Sequence, residues 1–410
     1  MAQHTARYAL VGGGLASAKA AEAIRKYDAD GTILIVGSEP HAPYHRPPLS
    51  KEFLRGEDGA DSLLPILSLD WYETNKVTLL TGTKATGADT DAKTITLDNG
   101  DTVRYEKMLV ATGSAPKPLD VPGGDGPNVR TLRTKDDSEA IREHLGQKLI
   151  LVGGGYIGVE VASDFLETGG KATIIEPTDQ LWSKFASPTY GAFLKDKLEA
   201  AGAEIILGDE VTEVTPTGVK TKSGRTIDGD FVVAGVGVKP NLEFALAAGL
   251  TVDEKKNGIL VNEFLETGTP DVWAAGDCAG FQDPVMGKLW RVEHWNNARW
   301  HGEIAGTNMA GQKMAYDHVP RFFSTELDIH FKLFGDPQGG KGGLLHGTTE
   351  SNRFDELYVS EEGKIAMIIT VNPPESLLPT LERLAREKPS VKGREAEIAD
   401  ASFDLASLLD

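Results

Sequence analysis

Two glycine-rich turns of one kind, Val11-Gly-Gly-Gly-Leu-Ala-Ser17 and Val152-Gly-Gly-Gly-Tyr-Ile-Gly158, are the residues of this chain best spaced for chemistry. Each follows an aliphatic run and opens a segment containing alanine and glutamate, so the glycines fall where a strand gives way to a helix. In such a turn the first glycine permits the bend, the second lets the backbone approach a pyrophosphate, and a small third residue keeps helix and strand close. Free N–H groups and the positive end of the helix dipole then meet the phosphate charge. In the first turn those positions are Gly12, Gly14 and Ser17, with Leu15 and Ala16 between; in the second they are Gly153, Gly155 and Gly158, with Tyr156 and Ile157 between. An acid completes each unit. Glu39 lies 25 residues after Gly14, where a carboxylate accepts from ribose hydroxyls, and Glu176 stands at the corresponding place in the second copy. At Glu176 a carboxylate repels a 2′-phosphate, and residues 177–182 hold no arginine to bind one, so NADH is expected over NADPH. Two turns imply two nucleotides and traffic between them, unless the second is a duplicated fold that binds nothing.

The elements that position these turns read as follows. A strand at 8–11, the turn, a helix over 16–27 and a strand at 32–36 running on to Glu39 form a βαβ unit, which implies a doubly wound parallel sheet. The loop 41–51 is too proline-rich for helix or central strand. Short strands at 77–80, 94–97 and 108–110 close on Ala111-Thr-Gly-Ser114, and the pattern restarts 141 residues after the first copy. There a strand at 148–152, a helix through Leu166 and a strand at 172–175 ending at Glu176 are followed by strands at 204–207, 219–222 and 231–234, finishing near Gly235-Val-Gly237. A strand at 258–261 leads to Ala275-Gly-Asp277, with Asp277 ending a strand, and a helix is expected from Trp295 to Met309. From about Pro320, strands such as 364–370 alternate with an amphipathic helix over 374–387, the pattern of a small α+β domain.

Composition narrows the function class. With 410 residues the chain exceeds one core, and no apolar run approaches the roughly 18 residues of a membrane span. A formal net charge of −19 disfavours sequence-independent nucleic-acid binding. The first strand begins almost at Met1, so no targeting segment is expected and a cytoplasmic location follows. The single cysteine, Cys278, can form no internal disulfide and reads as a small buried filler. His41 and His45 flank Pro43, which argues against a ligand-bearing helix, and no metal site is expected.

Further motifs make a specific resemblance. Pro43-Tyr-His-Arg-Pro-Pro-Leu-Ser-Lys51, Ala111-Thr-Gly113, Ala275-Gly-Asp277 and Arg291-Val-Glu-His-Trp-Asn-Asn-Ala298, in this order along the chain, resemble the oxygenase-coupled NADH-dependent ferredoxin reductases and the related apoptosis-inducing-factor-like flavoproteins. The resemblance implies an α/β fold with two Rossmann-like dinucleotide-binding domains, glutathione-reductase-like, plus a C-terminal α+β interface domain. Its boundaries are 1–115 and 245–320 for a discontinuous FAD domain, 116–244 for an NAD domain and 321–410 for the interface domain. It implies FAD at the first turn, held by Gly12, Gly14, Glu39, Arg46, Lys51, Thr112, Arg133 and Asp277. Leu15, Ala16, Ser17, Ala85, Ala111, Gly113, Gly276, Glu293, His294, Trp295 and Phe323 complete that site. NAD is implied at Gly153, Gly155, Tyr156, Ile157, Gly158, Glu160, Glu176, Val236 and Gly237.

Lys51 and Glu160 form the implied catalytic pair, the lysine approaching flavin N5 and the glutamate facing it; the alternative is a surface lysine and a helix-face glutamate. The implied reaction passes hydride from NADH, lying near Glu160 and Glu293, to FAD, and then single electrons to a ferredoxin-type iron–sulfur partner. Arg46, Arg299, Arg321, Lys332 and Lys341 are candidates for a basic docking patch, or are scattered solvated charges. One segment departs from the family: Arg321-Phe-Phe-Ser324 places Phe323 where a tryptophan is usual, and Thr325-Glu-Leu-Asp328 also differs from the usual form. An NADH-sensing flavoprotein and a reductase of rubredoxin or monodehydroascorbate share the cofactor residues, and a homodimer is left open beside a monomer.

Overall fold

The computed structural model describes residues 2–253, 258–340 and 342–409. The chain divides into two compact units, each assembled from three stretches. The first holds Met1–His45, Asp61–Ala115 and Val238–Pro320; the second holds Arg46–Ala60, Pro116–Gly237 and Arg321–Asp410.

In the first unit, aliphatic runs buried on both faces make a parallel sheet. Its parallel strands lie in the order Val77–Leu80, Ile33–Val36, Gln3–Val11, Thr102–Val110 and Val272–Ala274. Thr94–Leu97 pairs antiparallel with the first half of Thr102–Val110 and carries Ala85–Asp89 on its outer edge. The register sets Val11 beside Val36 and Val110, Val36 beside Leu80, and Val110 beside Ala274. All five parallel strands therefore end at one edge, which is where an open α/β sheet binds its ligand.

Helix Leu15–Tyr27 buries an alanine face against helix Trp295–Met309, and two glycines set their separation. A Cβ on Gly302 would stand 2.3 Å from the Ala16 carbonyl oxygen, and one on Gly306 would stand 2.4 Å from that of Ala20.

The second unit repeats the plan. Its parallel sheet runs Glu204–Leu207, Lys171–Glu176, Lys148–Val152, Phe231–Ala234 and Val129–Arg130, with helix Tyr156–Glu167 leaving the second glycine turn. A second, antiparallel sheet has the order Arg321–Glu326, Ile329–Gly335, Ile365–Val371, Arg353–Val359 and Gly343–Thr348. Helix Leu378–Glu387 packs across Ile329–Gly335 and Ile365–Val371. Among the described residues, no helix is long and apolar enough to cross a membrane, and no cluster of potential ligands is placed to hold a metal.

Three expectations need correction. Residues 41–51 are not all loop: Pro47–Ser50 forms a 3-10 turn followed by the short helix Glu52–Arg55. Prolines at the first helical positions lose nothing, because the N–H they lack has no intrahelical partner there. Asp277 does not end a strand; the strand stops at Ala274, and Gly276, with φ of +76°, turns the chain into the 3-10 segment Gly276–Cys278. The helix expected over 374–387 begins at Leu378, preceded by the 3-10 turn Glu375–Leu377.

Gly306→Ala is expected to lower unfolding stability by about 1–3 kcal/mol, because the clash outweighs the roughly 1 kcal/mol by which alanine is the better helix former. Gly268→Ala, whose Cβ meets no atom within 4 Å, should be near neutral in the same denaturant titration.

Candidate functional site

At the sheet edge of the first unit, Gly12 takes φ of +126°, and a Cβ there would lie 2.1 Å from the Ala111 carbonyl oxygen. Gly14 is the N-cap of helix Leu15–Tyr27, whose N-terminus has no side-chain cap and no acid in its first turn. Around Gly14 a Cβ would meet nothing within 4 Å, a cradle of the kind a phosphate fills. Ser17 is fully buried, and its hydroxyl has no hydrogen-bond partner.

The neighbouring strand ends supply the remaining walls. Glu39 accepts from the Tyr44 hydroxyl. Thr112 donates its hydroxyl to the Asn241 carbonyl at 2.7 Å, and Asn241 returns bonds to the Thr112 carbonyl at 2.9 Å and, through its backbone N–H, to Gly113 at 2.9 Å. Asp277 accepts from the Ser114 hydroxyl at 2.6 Å. Arg291 donates to the Asp277 backbone carbonyl at 3.0 Å and pairs with Glu293.

His294 is the N-cap of helix Trp295–Met309, which also lacks a side-chain cap and acid in its first turn. Burial of its imidazole pushes the pKa down to about 4, against the opposing charge of Asp277, so at neutral pH the ring is uncharged. Trp295 donates its indole N–H to His45 at 3.2 Å. Beneath the Gly276 turn, fully buried His301 accepts from the Gly276 N–H at 3.3 Å, and burial first, then His318, lowers its pKa to about 3. Cys278 is fully buried, its thiol reaching the Ala275 carbonyl at 3.4 Å, and burial raises its pKa. Ala85 lies in the hydrophobic core of this unit.

In the second unit the glycine turn is built alike. Gly153 takes φ of +107°, a Cβ on Gly155 would meet open space, and one on Gly158 would stand 2.1 Å from the Gly153 carbonyl oxygen. Gly155 caps helix Tyr156–Glu167 without a side-chain bond. Glu176 closes the turn by accepting from the Gly154 N–H at 2.7 Å and from the Thr178 hydroxyl at 2.7 Å. Val236 packs against the hydrophobic cluster of this sheet, and Gly237 follows with φ of +102°. Both turns thus offer what a dinucleotide needs: uncapped N–H groups, space at the second glycine and a carboxylate after the next strand, Glu176 as its last residue and Glu39 three residues past Val36, where the strand expected to run on to Glu39 stops.

Arg46, Lys51, Arg133 and Phe323 belong to this second unit. Arg46 donates to the Arg133 backbone carbonyl at 2.5 Å. Lys51 forms an ion pair with Glu160, their side chains only 11% and 7% exposed. Removing one partner of such a buried pair costs about 3–5 kcal/mol, since it strands the other charge. Glu160 also accepts from the hydroxyls of Ser50 and Ser324, and Ser324 in turn contacts Glu326. One turn along the helix, Arg55 holds Asp164 at 2.6 Å, while burial pushes the Asp164 pKa up to about 8.

Strand alternation explains the split in Arg321–Glu326: Ser324 and Glu326 face inward, whereas Phe323 points out and is 38% exposed. Of the five cations considered for docking, three have carboxylate partners, Arg299 with Glu303 at 2.9 Å, Arg321 with Glu382 at 3.5 Å and Lys332 with Glu375 at 3.4 Å; Arg46 donates to the Arg133 backbone carbonyl, and Lys341 lies outside the described residues.

Sequence reasoning gave no role to Ser50, Asn241, His301 or Glu326. For Glu326 the available signal was the alternation Phe322, Ser324, Glu326 on one strand face.

Comparison with known proteins agrees in length and order. The family described as pyridine nucleotide-disulphide oxidoreductase matches residues 6–302. Putidaredoxin reductase of Pseudomonas putida is 32% identical over 377 residues, covering 89% of this chain and 88% of that protein. The ferredoxin–NAD(+) reductase component of the anthranilate 1,2-dioxygenase system of Burkholderia cepacia is 31% identical, covering 89% and 90%. The solved covalent putidaredoxin reductase–putidaredoxin complex superposes with a TM-score of 0.91 at 30% identity, covering 100% of this chain and 99% of that one.

His301 carries a pH prediction. A histidine whose folded pKa is depressed contributes stability above its unfolded pKa, near 6.5, and loses it as pH falls toward the folded value of about 3. Relative to His301→Gln, the wild-type protein should therefore lose about 1.4 kcal/mol per pH unit below pH 6.5, read by denaturant unfolding at stepped pH.

Proposed function

The chain belongs to the pyridine nucleotide-disulphide oxidoreductase family and, within it, to the NAD-dependent ferredoxin reductases of oxygenase systems; from that premise we propose that it passes electrons from NADH through FAD to a ferredoxin-type iron–sulfur protein. The observation that carries the reading is the pair of uncapped glycine turns, each with its own carboxylate after the following strand, joined in one chain to a buried Lys51–Glu160 ion pair. One NADH supplies two electrons and one proton as hydride, two one-electron acceptors are reduced, and one proton is released.

When bound, FAD supplies the chemistry of accepting that hydride and releasing electrons singly. The Gly12 turn, with Glu39, Thr112 and Asp277, holds FAD, and the Gly153 turn, with Glu176, exchanges NADH. The N-terminus of helix Trp295–Met309 has neither side-chain cap nor acid, and neutral His294 adds no competing charge, so its dipole would favour negative charge on a flavin held there. Lys51, held by its ion pair with Glu160, would supply positive charge to the electron-rich flavin, and Glu293 would contribute to the nicotinamide site. Phe323, exposed on its strand, is the aromatic side chain this reading assigns to electron exit. Since Cys278 is the chain's one cysteine, no dithiol relays them. The same lone thiol fits a cytoplasmic setting.

NADH oxidation by the purified protein should be fast only when a ferredoxin is added, and slower with rubredoxin or a dye; equal rates without any ferredoxin would remove the proposed partner. A second check addresses the nucleotide: Glu176→Gln keeps an acceptor for Gly154 but loses the charge, and should improve kcat/KM for NADPH relative to NADH about tenfold.

A further inference from the structure

One serine hydroxyl lies between two buried carboxyl groups. Ser324 is within hydrogen-bond reach of both Glu160 and Glu326, and the three residues are 1%, 6% and 0% exposed respectively. A serine carries one donor proton, so it cannot serve two carboxylates at once. Glu160 already accepts from Lys51 and Ser50, which makes it the natural acceptor of the Ser324 proton. The contact between Ser324 and Glu326 then needs a proton from Glu326. The other oxygen of Glu326 is buried without a hydrogen-bond partner, an arrangement costly for an ion and tolerable for a neutral acid.

We propose that Glu326 is the proton-holding partner of the Lys51–Glu160 pair, bonded to it through Ser324, so that Glu326, Ser324 and Glu160 share one dissociable proton beyond that of the serine. In the resting arrangement Glu326 is the acid and Glu160 the anion that neutralises Lys51. In the alternative arrangement the Glu326 O–H breaks as a new Ser324 O–H forms, and the original Ser324 O–H breaks as a Glu160 O–H forms. The net charge is unchanged, no proton crosses to solvent, and the negative charge moves away from Lys51. Lys51 thereby gains an ion pair that can be loosened and restored without moving backbone.

The surroundings favour a neutral Glu326. Burial first, and then the charge of Glu160, raise its pKa to about 8, opposed by Ser324 and Lys51. From helix Tyr156–Glu167 it is faced by Tyr156 and Glu160, with Asp164 held by Arg55 one turn further on. Tyr190 faces it from helix Pro188–Ala200, and Tyr358 and Glu356 lie in the same network on strand Arg353–Val359, where Tyr358 donates to Glu356 at 2.9 Å. Among the described residues, Lys51 is the cation that faces it.

Only the catalytic meaning rests on the function proposed above; the shared proton does not, and the test separates them. An acid with a raised folded pKa contributes stability that is complete below its unfolded pKa, near 4.3, and is lost as pH rises toward 8. Across that window the folding constant of the FAD-loaded wild-type protein should fall about tenfold per pH unit relative to Glu326→Gln, and a pH-independent ratio overturns the proposal. Infrared spectra of the wild-type protein grown with isotopically labelled glutamate should show a protonated glutamate carbonyl at pH 6 that fades by pH 9 and is missing from Glu326→Gln and Glu326→Leu. If no labelled band titrates, the proposal fails even where neither variant folds. As a positioning readout, the pH profile of NADH-dependent flavin reduction should lose its inflection near pH 8 in both Glu326→Gln and Ser324→Ala. A retained inflection overturns the link to Lys51. A wild-type protein that shows the band but no NADH oxidation removes the proposed function alone.

Discussion

Backbone N–H groups can hold a phosphate only where no side chain stands in front of them, and this close approach is required twice in the chain. It dictates glycine at positions 14 and 155, where a Cβ would occupy the open cradle, and it leaves both helix N-termini without a capping side chain. The dipoles of those helices are then unspent, and a carboxylate after the next strand becomes the one acid that belongs nearby. The parallel registers follow as well, because a cradle has walls only if several strands end level with the turn. Val11, Val36, Leu80, Val110 and Ala274 do so in the first unit.

A different economy governs the second unit around helix Tyr156–Glu167. Three carboxyl groups on or against this helix, Glu160, Asp164 and Glu326, are nearly out of water, whereas among the described residues Lys51 and Arg55 are the cations that pair with them. Full ionisation would leave excess negative charge in a low-dielectric setting. The raised pKa values of Asp164 and Glu326 are the physical remedy, since a proton costs less there than an unmatched charge.

Much of the fold was legible because parallel strands buried on both faces read as unbroken aliphatic runs. Leu149-Ile-Leu-Val152 and Ile33–Val36 are examples, and helix Trp295–Met309 starts and stops where the pattern says. The Pro47–Ser50 turn was not legible, because proline counts against a helix unless its position within the helix is already known. The two glycine turns of the site could be read from spacing. The contact of Ser324 with Glu160 could not, since it joins residues 164 apart and depends on which strand face meets the helix. Local pattern gives the face, but only tertiary packing gives the neighbour.

The small helical segment around Pro47–Arg55 has a consequence for how the chain must come together. It comes before them in the chain, yet it belongs with Pro116–Gly237 and with Arg321–Asp410. Lys51 therefore waits, as synthesis proceeds, for Glu160 and then for Ser324, and neither unit corresponds to a contiguous piece of the chain. Folding dominated by such non-local closures is slow and exposes apolar strands on the way. Cutting the gene at a unit boundary would not liberate a half-enzyme, because each half is threaded through the other's sequence.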